Sequence, residues 1–139
     1  MATRIRDLSI PDELDREISR ESADRSTTWA AQATELLEEA LRMRWAPGVV
    51  FVDGPAGRRA AVAGTGLDVW EIVAAWRASA KDFAQLRQSY GWLTELQLRA
   101  ALAYYELYPH EIDARLEREN QWTPERVASD LPFARPRNG

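Results

Sequence analysis

The stretch "TRIRDLSIPDEL", residues 3–14, constrains the fold more than any other. A few residues alternate around Ile5 as in a strand, and then Pro-Asp-Glu-Leu opens a helix. A lone strand cannot hold itself together, because its N–H and C=O groups need partners on neighbouring strands. Two helix candidates follow it. "DELDREISRESADR" carries Leu14 and Ile18 four residues apart, and "STTWAAQATELLEEALRMR" sets Ala30, Ala33, Leu37, Ala40 and Leu41 on one face, with Leu36 beside it. Between them Asp24-Arg25-Ser26-Thr27 supplies hydroxyls able to cap the second helix. Strand, helix and helix in roughly 45 residues is too little chain to close a core alone. Residues 1–46 are therefore expected to dimerise.

Composition narrows the function classes. The chain has 139 residues and a net charge of −4, so binding to nucleic acid cannot rest on bulk charge and needs a local patch. It has no cysteine, which removes disulfides and thiolate metal sites and favours an intracellular setting. No apolar run resembles a signal peptide or approaches the ~18 residues of a membrane span. A cytoplasmic protein is expected.

The order in "IRDLSIPDELDREISRESADRSTTWAAQATELLEEAL" resembles the ribbon-helix-helix family, and within it the antitoxins whose strand reads roughly Ile-Arg-Asp-Leu. The resemblance covers residues 3–44. It implies that two chains pair their N-terminal strands into an antiparallel ribbon that enters the DNA major groove, so the missing partner strand belongs to a second copy. Two phases of the strand are open. With Ile5 inward, Arg4 and Arg6 face out, and arginine is the residue best suited to a bidentate contact with guanine O6 and N7. With Leu8 and Ile10 inward, Asp7 and Ser9 face out instead. Ile5 and Leu8 are three residues apart, so strict alternation cannot bury both without a bulge. Arg4 and Arg6 are the preferred pair. Ser26, Thr27 and Thr28, at the start of the second helix, are candidates for a DNA phosphate, although plain capping also explains them.

The second half has a different grammar. "VVFV", the turn-rich "DGPAG" and "RRAAVA" form a hairpin signal. Three short helices should follow. Asp68 with Glu71 caps the first, whose stripe is Val69, Ile72, Val73 and Trp76. Ser79 with Asp82 starts the second, ahead of Phe83, Leu86 and Tyr90. Thr94 with Gln97 starts the third, with Leu98, Ala101, Leu102 and Tyr105 as its stripe. "GRRAAVAGTGLDVWEIV" followed by "YGWLTELQLRAALAYYEL" is similar to a small winged-helix-type domain of bacterial antitoxins, catalogued mainly as a domain of unknown function. The similarity spans roughly residues 48–108. Arg59 stands where that domain usually has proline, and Gly66 where it usually has arginine. In a helix-turn-helix the third helix would offer Glu95, Gln97 and Arg99 to DNA, a weak readout face, while Arg58 and Arg59 on the hairpin could reach phosphates.

Signals for catalysis are thin. His110 is the only histidine and is read as a surface or helix-end residue. No His-x-x-x-His pair, phosphate-cradling Gly-Lys-Thr/Ser loop or nucleophile elbow occurs. Six tryptophans are scattered at helix faces and junctions, where a core would use them. No enzyme, cofactor or metal site is expected. The segment 121–139 holds three prolines, one in a Thr123-Pro124 helix start after Trp122 and two among the apolar Leu131 and Phe133 and the basic Arg135 and Arg137. It reads as an extended tail, either a partner-binding segment or a frayed terminus. In antitoxins such a tail can wrap a toxin, which makes Trp122, Leu131, Phe133 and Arg135 candidate partner-binding residues.

The combined expectation is a mainly α chain with short β elements: a ribbon-helix-helix domain over 1–46, a β-hairpin plus helical, winged-helix-like domain over 47–120, and a tail. The resemblances imply a homodimeric antitoxin that represses its own promoter and neutralises a PIN-type ribonuclease toxin. The alternative is a ribbon-helix-helix regulator with no toxin partner.

Overall fold

A computed structural model describes residues 2–121. The element order is α1 (Asp12–Asp24), α2 (Trp29–Trp45), β1 (Val49–Gly54), β2 (Gly57–Val62), α3 (Val69–Ala78), α4 (Phe83–Ser89), α5 (Glu95–Leu107) and α6 (Pro109–Asn120). The chain divides into two units, Met1–Arg42 and Met43–Gly139.

In the first unit, α1 places Asp12, Glu13 and Asp15 in its first turn, where carboxylates favour the positive end of the helix dipole. It stops in a Schellman arrangement. Thr27 N–H donates to Ser22 O at 2.9 Å and Ser26 N–H to Ala23 O at 3.2 Å, which forces Ser26 to a left-handed φ of 53°. Thr28 then caps α2, its Oγ1 accepting from Ala31 N at 3.1 Å. The hydroxyl cap is present, supplied by Thr28, while Ser26 turns the chain.

Two expectations for this unit need correction. Residues 2–10 carry neither helix nor strand. A strand consists of its ladder bonds, and residues 3–10 make none among the described residues. The second difference is burial along α2. The face with Leu37 and Leu41 is 57% and 56% exposed, whereas Gln32 and Glu39, seven residues apart, are only 2% and 8% exposed. Gln32 Nε2 and the buried Trp29 Nε1 have no hydrogen-bond partner among the described residues. A helix with amide and carboxylate inward and leucines outward inverts the ordinary preference.

The second unit closes its own core. The hairpin is antiparallel with Val49 opposite Val62 and Gly54 opposite Gly57, across a Pro55-Ala56 turn. Gly48 links α2 to β1 at φ 94°, and a Cβ there would meet Ala100 Cβ at 3.1 Å, so the position tolerates little but glycine. Val49, Val62, Val69, Ile72, Val73, Leu86, Leu98, Ala101 and Tyr104 are buried together, and Ile112 and Leu116 of α6 complete the cluster. The Thr94–Gln97 capping box forms as the spacing requires. Ser79 does not start α4. It caps the C-terminus of α3, and Asp82 caps α4 by accepting from Ala84 N at 2.9 Å. Helix α6 is a further addition, entered through Pro109 at its first turn, where a missing N–H costs nothing. His110 lies exposed at the first turn of α6, a surface position at a helix end as expected. None of the five described tryptophans belongs to the buried class, so the core is aliphatic with Tyr104.

The observed class is mainly helical with one two-stranded antiparallel hairpin. No helix among the described residues is long and apolar enough to cross a membrane.

Candidate nucleic-acid interface

The sequence-derived candidates fall into separate places. Arg4 and Arg6 are exposed on residues 2–10 of the first unit. Ser26 and Thr27 sit exposed in the α1–α2 turn, and the Thr28 hydroxyl already accepts the Ala31 N–H that a phosphate would otherwise take. Trp122, Leu131, Phe133 and Arg135 lie outside the described residues.

Arg58 and Arg59 are in the second unit, and there the fold adds partners that sequence spacing did not reveal. The hairpin turn, Gly54 to Gly57, and α6 border a cleft of about 160 Å³ lined by Arg58, Arg59, Arg115 and Arg118. A smaller hollow of about 70 Å³ continues along the same arginines to Trp70 and Glu111. Arg115 and Arg118 are three apart on α6 and so share a face, while Ile112 and Leu116 anchor that helix in the core.

Each arginine is held differently. Arg58 donates to Asp53 Oδ1 at 3.2 Å and to the Phe51 carbonyl at 3.1 Å. Arg59 lies 3.5 Å from the buried Asp68 carboxylate, which also accepts from Trp70 Nε1 at 3.1 Å. The same Asp68 begins α3, its own N–H donating to Glu71 at 2.9 Å, and Oδ1 has no hydrogen-bond partner among the described residues. A buried carboxylate needs a counter-charge, and Arg59 supplies it. Arg115 stacks over the Trp70 ring at 5.1 Å and donates to Glu119 at 2.9 Å. Arg118 is exposed and has no ion pair among the described residues. Exposed pairs of the Arg58–Asp53 and Arg115–Glu119 kind contribute only about 0–1 kcal/mol, so a stronger anion can displace their carboxylates.

Helix α6 is braced against the rest of the unit by a polar cluster. Arg77 of α3 donates to Asp113 of α6 at 2.7 Å, and Tyr105 of α5 donates to the same carboxylate at 2.6 Å. The tyrosine hydrogen bond, with Arg77 beside it, holds the Asp113 carboxyl below its usual range. The same bond to Asp113, with partial burial, pushes the Tyr105 hydroxyl up.

The helix-turn-helix face is largely self-satisfied. Gln97 accepts from Thr94 N at 2.9 Å, and Glu95 takes Arg99 at 2.8 Å and Arg87 at 3.5 Å. The Arg99 hydrogen bond lowers the Glu95 pKa. Little remains there to read a base. Among the described residues no cluster of histidines and carboxylates could hold a metal ion.

Arg115 and Arg118 were the functional candidates that sequence reasoning missed. "HEIDARLEREN" carries the signal, with Ile112 and Leu116 at helical spacing and both arginines off that stripe.

Residues 52–105, from β1 to the last turns of α5, match a family described as a protein of unknown function, DUF433. The match covers less than half of the chain and stops before α6. No curated protein and no solved structure matches the chain.

Proposed function

We propose that this chain is a dimeric DNA-binding antitoxin and autorepressor, in which the first unit pairs with a second copy as a ribbon-helix-helix and reads its own promoter. The observation that carries the reading is the inverted burial of α2, with Leu37 and Leu41 outward and Gln32 and Glu39 inward. A second chain laid on the leucine face would bury it and would give residues 3–10 the partner strand they lack. Ile5, 93% exposed, and Leu8 belong to that surface. Arg4 and Arg6 then become the ribbon's outward side chains, at the groove.

By resemblance the neutralised partner is a PIN-type ribonuclease, captured by Trp122, Leu131, Phe133 and Arg135. The winged-helix-like second unit serves as the body that carries this tail.

The test of the DNA reading is a mobility-shift titration of the promoter with wild type and with the Arg4→Ala, Arg6→Ala double variant. Each lost bidentate contact costs about 1–3 kcal/mol, so the double variant should lose binding at least a hundredfold while remaining a dimer. Undiminished affinity would remove these arginines from the interface. Co-purification with the product of the neighbouring gene, using full-length chain and chain ending at residue 121, separates antitoxin from regulator. Capture by the full-length chain alone supports the antitoxin reading, and no capture by either leaves a regulator without a toxin.

A further inference from the structure

The function proposed above gives the arginine cleft of the second unit no part in ribbon pairing or toxin capture. We propose that it is a phosphate site for the nucleic-acid backbone, giving each chain a second, sequence-independent hold on DNA. The choice of nucleic acid as the source of the phosphate rests on the DNA-binding reading above, while the anion chemistry stands on the cleft itself.

Four arginines line one opening from two elements, Arg58 and Arg59 from the hairpin and Arg115 and Arg118 from α6. The space between them, about 160 Å³, is several times the ~30 Å³ share of a water molecule, enough for a phosphate group with part of its shell. Arginine presents a planar fork of donors that matches phosphate oxygens two at a time. Three of the four are held before any ligand arrives, Arg58 by Asp53 and the Phe51 carbonyl, Arg59 by the buried Asp68 and Arg115 by the Trp70 ring. Preset donors lose less freedom on binding.

The carboxylates already present decide between an acidic peptide and a polyanion. Asp53, Asp68 and Glu119 each face one of these arginines. An acidic peptide would replace carboxylate with carboxylate and gain little. A nucleic-acid backbone carries condensed counterions, and releasing them adds a driving force that a peptide lacks. Arg118, with no ion pair among the described residues, is the entry point.

Trp70 reports on the site because its indole N–H bonds Asp68 while Arg115 covers its ring. The experiment follows the Trp70 indole N–H resonance of the full chain as two probes are added separately, a 20-base-pair duplex of unrelated sequence and inorganic phosphate. Wild type, Arg118→Gln and the Arg4→Ala, Arg6→Ala variant are compared. The expected result is a saturable shift with the duplex that survives in the Arg4, Arg6 variant and weakens about tenfold in Arg118→Gln. Persistence in the arm variant separates this site from promoter reading, so either can fail without the other. A shift with inorganic phosphate and none with the duplex would overturn the proposal in favour of a small-anion site. No shift with either probe, or an equal shift in Arg118→Gln, would overturn it outright. Since Arg118 is exposed and unpaired among the described residues, its replacement leaves the fold intact.

Discussion

Leu37 in α2 and Leu98 in α5 are the same residue type within helices of 17 and 13 residues, yet one is 57% exposed and the other 0%. Leu98 sits in a unit where a hairpin and four helices surround one aliphatic cluster. Leu37 sits in a unit of two helices and an unpaired N-terminal stretch, which has no third layer to cover it. The difference teaches that the second unit meets its burial requirement with its own residues, whereas the first leaves a leucine face exposed, the face that the proposed second copy would cover.

The largest effect should come from attacking the uncovered face. Replacing Leu37 and Leu41 together with alanine removes side chains that contribute about 1.5–3 kcal/mol each when buried, and a symmetric dimer counts every one twice. Dissociation should therefore move to concentrations at least a hundredfold higher, measured by sedimentation, while the second unit melts unchanged. If dimerisation is unaffected, those leucines do not form the interface.

Leu98→Ala probes the other side of the comparison. A fully buried leucine cut to alanine costs about 2–5 kcal/mol, and the loss should be independent of protein concentration because that core lies within one chain. Denaturant unfolding at two protein concentrations checks both parts.

Ser26→Gly should act in the opposite direction. Ser26 holds a left-handed φ of 53° at the end of α1, a conformation that penalises an L side chain by about 1–2 kcal/mol. Glycine removes that penalty at some entropic cost, so a net gain of roughly 0.5–1 kcal/mol is expected in the first unit only. A loss of stability would mean that the Ser26 side chain has a contact of its own to defend.

The smallest effect concerns pH. The pKa of Asp113 is lowered in the folded chain, so its contribution is full above the usual aspartate range and disappears as pH falls through the lowered value. Tyr105 is raised, so its contribution is full below about pH 10 and is lost as pH climbs through the raised value. Asp113→Asn should lower stability at neutral pH by no more than about 1 kcal/mol, the range of exposed pairs, and the gap to wild type should close in acid. Melting curves from pH 3 to 8 on both chains test this.

How much of this was legible in the sequence differs between the two units for the same reason. In the second, local rules and tertiary packing agree: Asp53-Gly54-Pro55 announces a hairpin, Thr94 and Gln97 a helix start, and Val69, Ile72 and Val73 a buried stripe. Helix α6 was missed because its apolar stripe is only Ile112 and Leu116, diluted by charges. With it went Arg115 and Arg118, since bringing residues 58 and 118 together is a tertiary event that no spacing encodes. Of the tryptophans that the sequence offers to the core, Trp70 and Trp76 pack against it half-buried, while Trp45 and Trp92 stay exposed. In the first unit the leucine stripe of α2 is readable, but among the described residues it stays exposed, and the cover proposed for it, a second copy, is not a thing one sequence spells out.

Sedimentation equilibrium of the full chain at micromolar concentration, with helix content followed by circular dichroism on the same samples, bears most directly on the incomplete first unit. A dimer is expected, dissociating on dilution with loss of helix from the first unit and none from the second. A monomer that keeps α1 and α2 folded at every concentration would contradict the claim that the first unit is completed by a second copy.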